Sequence, residues 1–107
     1  MKALGDVIEV IEMDITSKDS INKAVSKIDM LDILINNAGV NSNTKLFDDT
    51  FFDIEVNVKG TINLTQALYE KLKISKGTVV NVTSVLALVN LPMLANYSVS
   101  KSALHSF

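Results

Sequence analysis

Residues 31–35 read Leu-Asp-Ile-Leu-Ile, a short apolar run that constrains the fold more than any other stretch. Its apolar character is nearly continuous, as expected for a strand that is covered on both faces of a parallel sheet. Residues 7–13 and 78–83 are further short runs rich in β-branched residues, and each predicts another strand. Asp14 closes the first of these strands and Ser84 follows the last. The chain therefore supplies strands that need helices to cover them.

Helical patterns fill the intervals between the predicted strands. Thr16, with Asp19 three residues later, resembles a helix start. A longer helical pattern runs from residue 46 to about residue 72, with Gly60 inside it. An interior glycine costs up to about 1 kcal/mol relative to alanine, so Gly60 indicates close packing or a kink. The apolar positions of the first pattern are Ile21, Ala24, Val25 and Ile28, and those on one stripe of the second are Ile54, Val58, Ile62, Thr65, Leu68 and Leu72.

Gly77 ends the long helical pattern before the last strand. A loop that contains Pro92 then leads into a final helix that reaches Phe107. The order strand, helix, strand, helix, strand, helix predicts an α/β fold with a parallel sheet of about three strands and right-handed crossovers. The 107 residues are expected to form one domain, residues 1–107.

Composition excludes several classes of protein. Hydrophobic residues make up 48% and charged residues 21%, which favours a globular chain over a disordered one. The net charge of -2 gives no basic surface for nucleic acid. Without cysteine there is no disulfide framework and no thiolate metal site, and no other metal site is predicted. No apolar run approaches the ~20 residues that span a bilayer. We therefore expect a soluble, cytoplasmic protein without a membrane or nucleic-acid partner.

Tyr97 and Lys101 are the residues that most suggest chemistry. They are four residues apart, so on a helix the phenol and the ammonium lie on one face. An ammonium near a phenol favours the phenolate and lowers a tyrosine pKa from about 10. Such a phenol can donate a proton to a carbonyl oxygen, or accept one from an alcohol, near neutral pH. Ser84, at the end of a predicted strand, is placed to meet a phenol on the next helix.

Two further motifs accompany this pair. Residues 36–39 read Asn-Asn-Ala-Gly and follow an apolar strand, and residues 57–61 read Asn-Val-Lys-Gly-Thr within the long helical pattern. In this order and spacing the motifs resemble the short-chain dehydrogenase/reductase family, over residues 7–107. The resemblance implies a partial, doubly wound Rossmann-type sheet. It also implies an oxidoreductase that transfers a hydride between NAD or NADP and an alcohol or ketone, without indicating the preferred cofactor or the substrate.

The resemblance implies a catalytic group of four residues. It makes Tyr97 the general acid or base, while Lys101 lowers the pKa of that phenol and holds the ribose of the cofactor. It makes Ser84 the hydrogen-bond partner of the substrate oxygen, and Asn57, at a helix distortion, the anchor of a water that relays protons to Lys101. Each residue also has a structural alternative: a cap for Ser84, a polar surface position for Asn57, and half-buried or solvated positions for the pair on the last helix.

The implied cofactor site lies at the carboxyl ends of the strands, where open α/β sheets bind ligands. In the family, Asp14 accepts a hydrogen bond from the adenine ring, with Ile15 beside it. The alternative for Asp14 is an acidic residue that stabilises a helix N-terminus. For Asn36, bracing of the sheet is an equal alternative to direct contact. The full predicted set is Asp14, Ile15, Asn36, Asn37, Ala38, Gly39, Tyr97 and Lys101.

The family's glycine-rich turn, Thr-Gly-x-x-x-Gly-x-Gly, does not occur before Asp14. We therefore expect a central fragment that begins at Met1 either by truncation or at a true start. In the complete family fold, two strands separate the strand ending at Asp14 from the strand ending at Asn36. We expect these two strands to pair directly here, which gives a three-stranded parallel sheet.

Two functions from different classes follow. The first is an oxidoreductase fragment with little or no activity on its own, because the phosphate-binding turn is missing. The alternative is a non-catalytic remnant or assembly module that pairs with related subunits, or forms a homo-oligomer, through the helices around residues 50–72 and 95–107. A third alternative is a truncated product with no function.

Overall fold

Two parallel strands form the centre of the fold. The computed structural model describes residues 7–42, 51–88 and 94–107. Strands β1 (Ile33–Asn36) and β2 (Thr78–Asn81) pair in register along their whole length. The helices are α1 (Lys18–Val25), α2 (Phe52–Ile54), a π-helix (Glu55–Gly60), α3 (Thr61–Ser75), a 3-10 turn (Val85–Ala87) and α4 (Ala95–Ser106).

The α/β prediction is confirmed, but the prediction of a third strand is wrong. In the described part of the chain the sheet has two strands, and residues 7–13 form none. Val7 and Val10 are exposed there. β-Branched residues favour extended backbone, but a strand also needs a neighbour that accepts and donates its backbone hydrogen bonds. The expected direct pairing of residues 7–13 with β1 does not occur.

The N-cap of helix α1 lies one residue after Thr16, the predicted cap. Ser17 is the N-cap, and the Ser17 hydroxyl accepts a hydrogen bond from the Ser20 backbone N–H at 3.2 Å. Thr16 instead donates its side-chain O–H to Asp14 at 2.7 Å, which leaves it outside the helix. Ile21 and Ala24 are buried as the helical spacing predicts.

The long helix contains a π-turn that shifts its buried face. Residues 55–60 have π geometry, in which each turn holds an extra residue. Val56 and Leu64 are therefore buried, while the predicted stripe positions Ile54 and Val58 are only half-buried. Gly60 is closely packed, because a β-carbon built on it would lie 2.9 Å from the Ile15 carbonyl oxygen. Residues 46–50 and Pro92 lie outside the described residues.

The core lies between α1, the long helix and one face of the sheet. Its buried residues are Ile15, Ile21, Leu34, Val56, Leu64, Leu68 and Leu72. Ile33 and Ile35 alternate with Leu34 along β1 and so point to the other face. They are 58% and 60% exposed. One face of the sheet is therefore packed on helices, and the other presents apolar side chains to solvent.

Candidate active site

The carboxyl ends of both strands carry asparagines that hydrogen-bond to each other. Asn36 Nδ2 donates to Asn81 Oδ1 at 2.9 Å and to Thr65 Oγ1 at 3.1 Å. Asn36 is buried, and its Oδ1 has no hydrogen-bond partner among the residues that the structure describes. These bonds join β1, β2 and α3, which favours the bracing interpretation of Asn36 over direct ligand contact.

A groove of about 270 Å³ opens beside this end of the sheet. It lies between the segment that follows β1, the segment that follows β2 and the first turns of α4. Its lining residues are Asn37, Gly39, Val40, Asn41, Val82, Thr83, Tyr97 and Lys101. Four of these belong to the cofactor set predicted from the sequence, so the fold brings that part of the set together.

Tyr97 and Lys101 lie on one face of α4, as their spacing predicts. Lys101 Nζ is 5.8 Å from the centroid of the Tyr97 ring. The Lys101 side chain is only 5% exposed, and Nζ donates to the Val82 carbonyl at 3.3 Å. A buried ammonium is costly unless polar groups surround it. The solvated-surface alternative for Lys101 is therefore excluded.

Gly39 brings the lysine and the asparagine together. A β-carbon built on Gly39 would lie 3.3 Å from Lys101 Nζ and 3.3 Å from Asn57 Oδ1. Any larger residue would enter the space between these two groups. The loop after β1, the π-helix and α4 thus meet at a single point.

Asn57 lies in the π-helix and is fully buried, so the distortion inferred from the resemblance is present and the surface alternative is wrong. Its Oδ1 accepts from the Val40 backbone N–H at 2.8 Å, and its Nδ2 donates to the Val40 carbonyl at 2.9 Å. The second Nδ2 proton is donated to Ser100 Oγ at 2.9 Å. The side chain therefore fixes the loop after β1 against α4.

Ser100 and Asp53 are buried polar residues of the site that the sequence did not reveal. Ser100 joins Asn57 to α4. Asp53 Oδ1 accepts from the backbone N–H and the hydroxyl of Ser42, at 3.0 and 2.7 Å, and so holds the loop after β1. The spacing of Asp53 and Asn57, one turn apart on the long helix, is the signal that could have indicated a polar face.

Ser84 begins the turn beside the groove. Its hydroxyl accepts from the Leu86 backbone N–H at 3.2 Å, which caps the 3-10 turn. The cap interpretation of Ser84 is therefore correct, and within residues 7–42, 51–88 and 94–107 nothing accepts its hydroxyl proton, which is left to donate to a ligand. Thr83, the residue before it, lines the groove.

Asp14 is exposed at the start of the α1 segment. Its Oδ1 accepts from the side-chain O–H and the backbone N–H of Thr16, and these bonds lower the pKa of Asp14 below its usual 3.8. Ile15 is buried in the core against Gly60. Asp14 is therefore accessible to a ligand, whereas Ile15 is a packing residue, and their contact with a cofactor stays a prediction.

The profile of the short chain dehydrogenase family matches residues 1–107. This chain belongs to the short-chain dehydrogenase family. The resemblance inferred from the sequence is thereby confirmed.

Two curated relatives of this chain are 3-oxoacyl-(acyl-carrier-protein) reductases FabG. The protein from Rickettsia typhi is 33% identical over 97% of this chain and 47% of its own length. The protein from Aquifex aeolicus is 35% identical over 91% of this chain and 43% of its own length. The chain thus spans less than half of these relatives.

A solved short chain dehydrogenase from Burkholderia cenocepacia, in complex with NADP, has the same fold. The TM-score is 0.88 at 35% identity, and the match covers 96% of this chain and 46% of that one. The Rossmann-type assignment therefore holds. Within the described part of this chain there is no cluster of residues suited to a metal ion, and no helix long and apolar enough to cross a bilayer.

Proposed function

We propose that this chain provides the catalytic half of an oxidoreductase that transfers a hydride between NAD or NADP and an alcohol or ketone. The observation that carries this proposal is the meeting of Gly39, Asn57 and Lys101 beside Tyr97. A buried ammonium next to a phenol, at the ligand-binding edge of a parallel sheet, is suited to proton transfer at a carbonyl oxygen.

The residues of the groove fit the ribose and nicotinamide end of such a cofactor. Gly39 leaves open the space that a β-carbon would fill. Lys101 Nζ donates one hydrogen bond to the Val82 carbonyl, and an ammonium has two further protons to donate to ribose hydroxyls. The nicotinamide, when bound, supplies or accepts the hydride.

Tyr97 is the proton donor for the reduction in this proposal. Its phenol donates to the substrate carbonyl oxygen as that oxygen gains negative charge, and it accepts the proton in the reverse direction. The positive charge of Lys101 stabilises the phenolate that remains. Ser84 donates its free hydroxyl proton to the same substrate oxygen and orients it.

The backbone of Asn57 is the group proposed to hold the relay water. The Asn57 side-chain amide already donates both of its protons, to Val40 and Ser100. A π-turn displaces backbone carbonyls from the usual helical pairing and is frequent at functional sites. A water at this carbonyl could pass a proton to Lys101.

The substrate class is proposed from the relatives. Two of them are named 3-oxoacyl-(acyl-carrier-protein) reductases, so a ketone beside an acyl chain is the first candidate. Val85 and Leu88, in and after the turn that Ser84 caps, are exposed and apolar, which suits an acyl chain nearby. We expect the 107-residue chain alone to have little or no activity, because no glycine-rich phosphate turn occurs in it.

Exposed apolar and aromatic residues support the alternative function of subunit pairing. Phe51 and Tyr69 are exposed on the long helix segment, and Val99 and Phe107 on or beside α4. Apolar residues exposed on two helices are typical of interfaces. Co-sedimentation with the Aquifex relative tests this alternative, since association without turnover favours an assembly role. The cytoplasmic location and a homo-oligomer also stay predictions.

The catalytic proposal is tested in a chimera in which residues 1–107 replace the matching segment of the Aquifex relative. NADPH-dependent reduction of a 3-oxoacyl thioester is the assay. We expect Tyr97→Phe to lower kcat by about 10²- to 10⁴-fold, the contribution typical of general acid catalysis.

Tyr69→Phe in the same chimera is the matched control, because Tyr69 is exposed on α3, away from the groove. It should leave kcat unchanged. A folded chimera that turns over equally well with Tyr97→Phe would contradict the proposed function.

A further inference from the structure

Ser100 connects the two halves of the site. The residue is fully buried, with 0% of its surface exposed. Its hydroxyl oxygen accepts from Asn57 Nδ2 at 2.9 Å, and its proton is donated to the Tyr97 backbone carbonyl at 2.7 Å. One hydroxyl thus contacts both the π-helix and the residue proposed as the proton donor.

The contact between Ser100 and Asn57 matters because both side-chain N–H protons of Asn57 are used in hydrogen bonds. A primary amide has two N–H protons, and Asn57 donates one to Val40 and one to Ser100. If the Ser100 oxygen is removed, one buried Nδ2 proton loses its partner. A buried donor without a partner costs about 1–3 kcal/mol, so Asn57 would reorient to satisfy it. Reorientation would break the pair of bonds that holds the Val40 backbone.

We propose that Ser100 is a positioning residue that fixes Asn57, and through Asn57 the loop at Val40, relative to Tyr97 and Lys101. Its catalytic meaning rests on the proposed function. A purely local role is the competing explanation, because a serine in a helix often bonds the carbonyl three residues earlier. Such a local bond acts within α4 and would not affect Val40.

Hydrogen exchange in the 107-residue chain separates these explanations. The Val40 amide proton is donated to Asn57 Oδ1 at 2.8 Å, so its exchange rate reports on the Asn57 orientation. We expect Ser100→Ala to speed Val40 exchange about tenfold, the effect of losing one hydrogen bond. Unchanged Val40 exchange in a folded Ser100→Ala protein would overturn the proposal.

Ser75→Ala is the matched control. The Ser75 hydroxyl also makes a bond to a distant carbonyl, Leu31 O at 2.6 Å, but at the opposite end of the sheet. Ser75→Ala should lower the free energy of unfolding about as much as Ser100→Ala does. The exchange rate of the Val40 amide should then rise only by the amount that the lower global stability causes. If Ser100→Ala does not fold, Ser100→Cys replaces it, because a thiol of similar size is a weak hydrogen-bond donor and acceptor.

The chimera supplies the catalytic readout. Ser100→Ala should lower kcat about tenfold with little change in KM, because a misplaced proton donor affects the chemical step. An unchanged kcat together with faster Val40 exchange would reduce Ser100 to a structural role and overturn its positioning role. A parent chimera that does not bind NADPH would defeat the proposed function alone, since the exchange result does not depend on it.

Discussion

At the scale of single residues, buried polar side chains hold the site in place. Asn57 and Asp53 each bond to the loop after β1, through Val40 and Ser42. Lys101 is buried, with Nζ bonded to the Val82 carbonyl and near the Tyr97 ring. Such groups are tolerated in an interior because their hydrogen bonds offset the cost of removing them from water.

Asp14 provides a test of the local bonds around the predicted adenine-contacting residue. The Thr16 hydroxyl is the main cause of the lowered pKa of Asp14. We expect Thr16→Val to raise the pKa of Asp14 towards 3.8, measured by carbon NMR titration of its carboxyl group. Thr78→Val, at the start of β2, should leave it unchanged.

The lowered pKa of Asp14 determines how its contribution to stability changes with pH. Because the folded pKa lies below the unfolded value, Asp14 stabilises the fold above the unfolded pKa, and this contribution is lost as pH falls through the folded pKa. An Asp14 that titrates identically with and without the Thr16 hydroxyl would contradict the assigned cause.

Much of the site at this scale was predictable from the sequence. The spacing of Tyr97 and Lys101 required only that the segment be helical, and a helix has a fixed geometry. Ser100 was not predictable, because its importance comes from Asn57, which is 43 positions away in the chain. Asn81 was not predictable for the same reason, because the strand register determines that it lies opposite its partner Asn36.

At the scale of elements, the end of α3 shows how local sequence stops a helix. Lys76 is the C-cap and has left-handed backbone angles, φ 53° and ψ 44°. Gly77 follows, where a β-carbon would lie 2.5 Å from the Asp32 carbonyl oxygen. Glycine is thus required by close packing at 77, while the left-handed position carries a lysine.

Replacing that lysine should stabilise the protein. A non-glycine residue in left-handed geometry costs about 1 kcal/mol, so Lys76→Gly should raise the free energy of unfolding by about 0.5–1 kcal/mol. Lys73→Gly is the matched control within α3 and should lower it by about 1 kcal/mol. Urea denaturation measures both, and a destabilising Lys76→Gly would show that the left-handed assignment is wrong.

The strands show the limit of prediction at this scale. Residues 78–83 and 7–13 have similar β-branched composition, yet β2 forms at Thr78–Asn81 and residues 7–13 remain unpaired. Composition reports that extended backbone is favoured, whereas a strand depends on which neighbour lies alongside. The helices, whose hydrogen bonds are internal, were predicted more closely, apart from the π-turn that moved Val56 into the core.

At the scale of the whole molecule, the uncovered sheet face is the main departure from a self-sufficient fold. Ile33 and Ile35 of β1 are exposed on this face. Val80 of β2, which lies opposite Ile35, is exposed as well. Parallel sheets are normally buried on both faces. The chain also spans less than half the length of its curated relatives.

We expect the isolated chain to bind the dye ANS and to self-associate between micromolar and millimolar concentrations, as exposed apolar surface promotes. Ile35→Thr should weaken both effects. Ile74→Thr, which changes an even more exposed isoleucine that lies on α3 and not on the sheet, should have the smaller effect. A monomeric chain without dye binding, by sedimentation and fluorescence, would contradict this prediction.

The most direct test of the central claim is an NADPH titration of the chimera with Lys101→Met. The buried ammonium is proposed to donate to the cofactor, and a hydrogen bond from a charged group is worth about 1.5–3 kcal/mol. We therefore predict that Kd rises at least about tenfold. Lys59→Met, which changes an exposed lysine of the π-helix, should leave Kd unchanged. If Lys101→Met binds NADPH as tightly as the parent chimera, the groove beside Tyr97 is not the cofactor site.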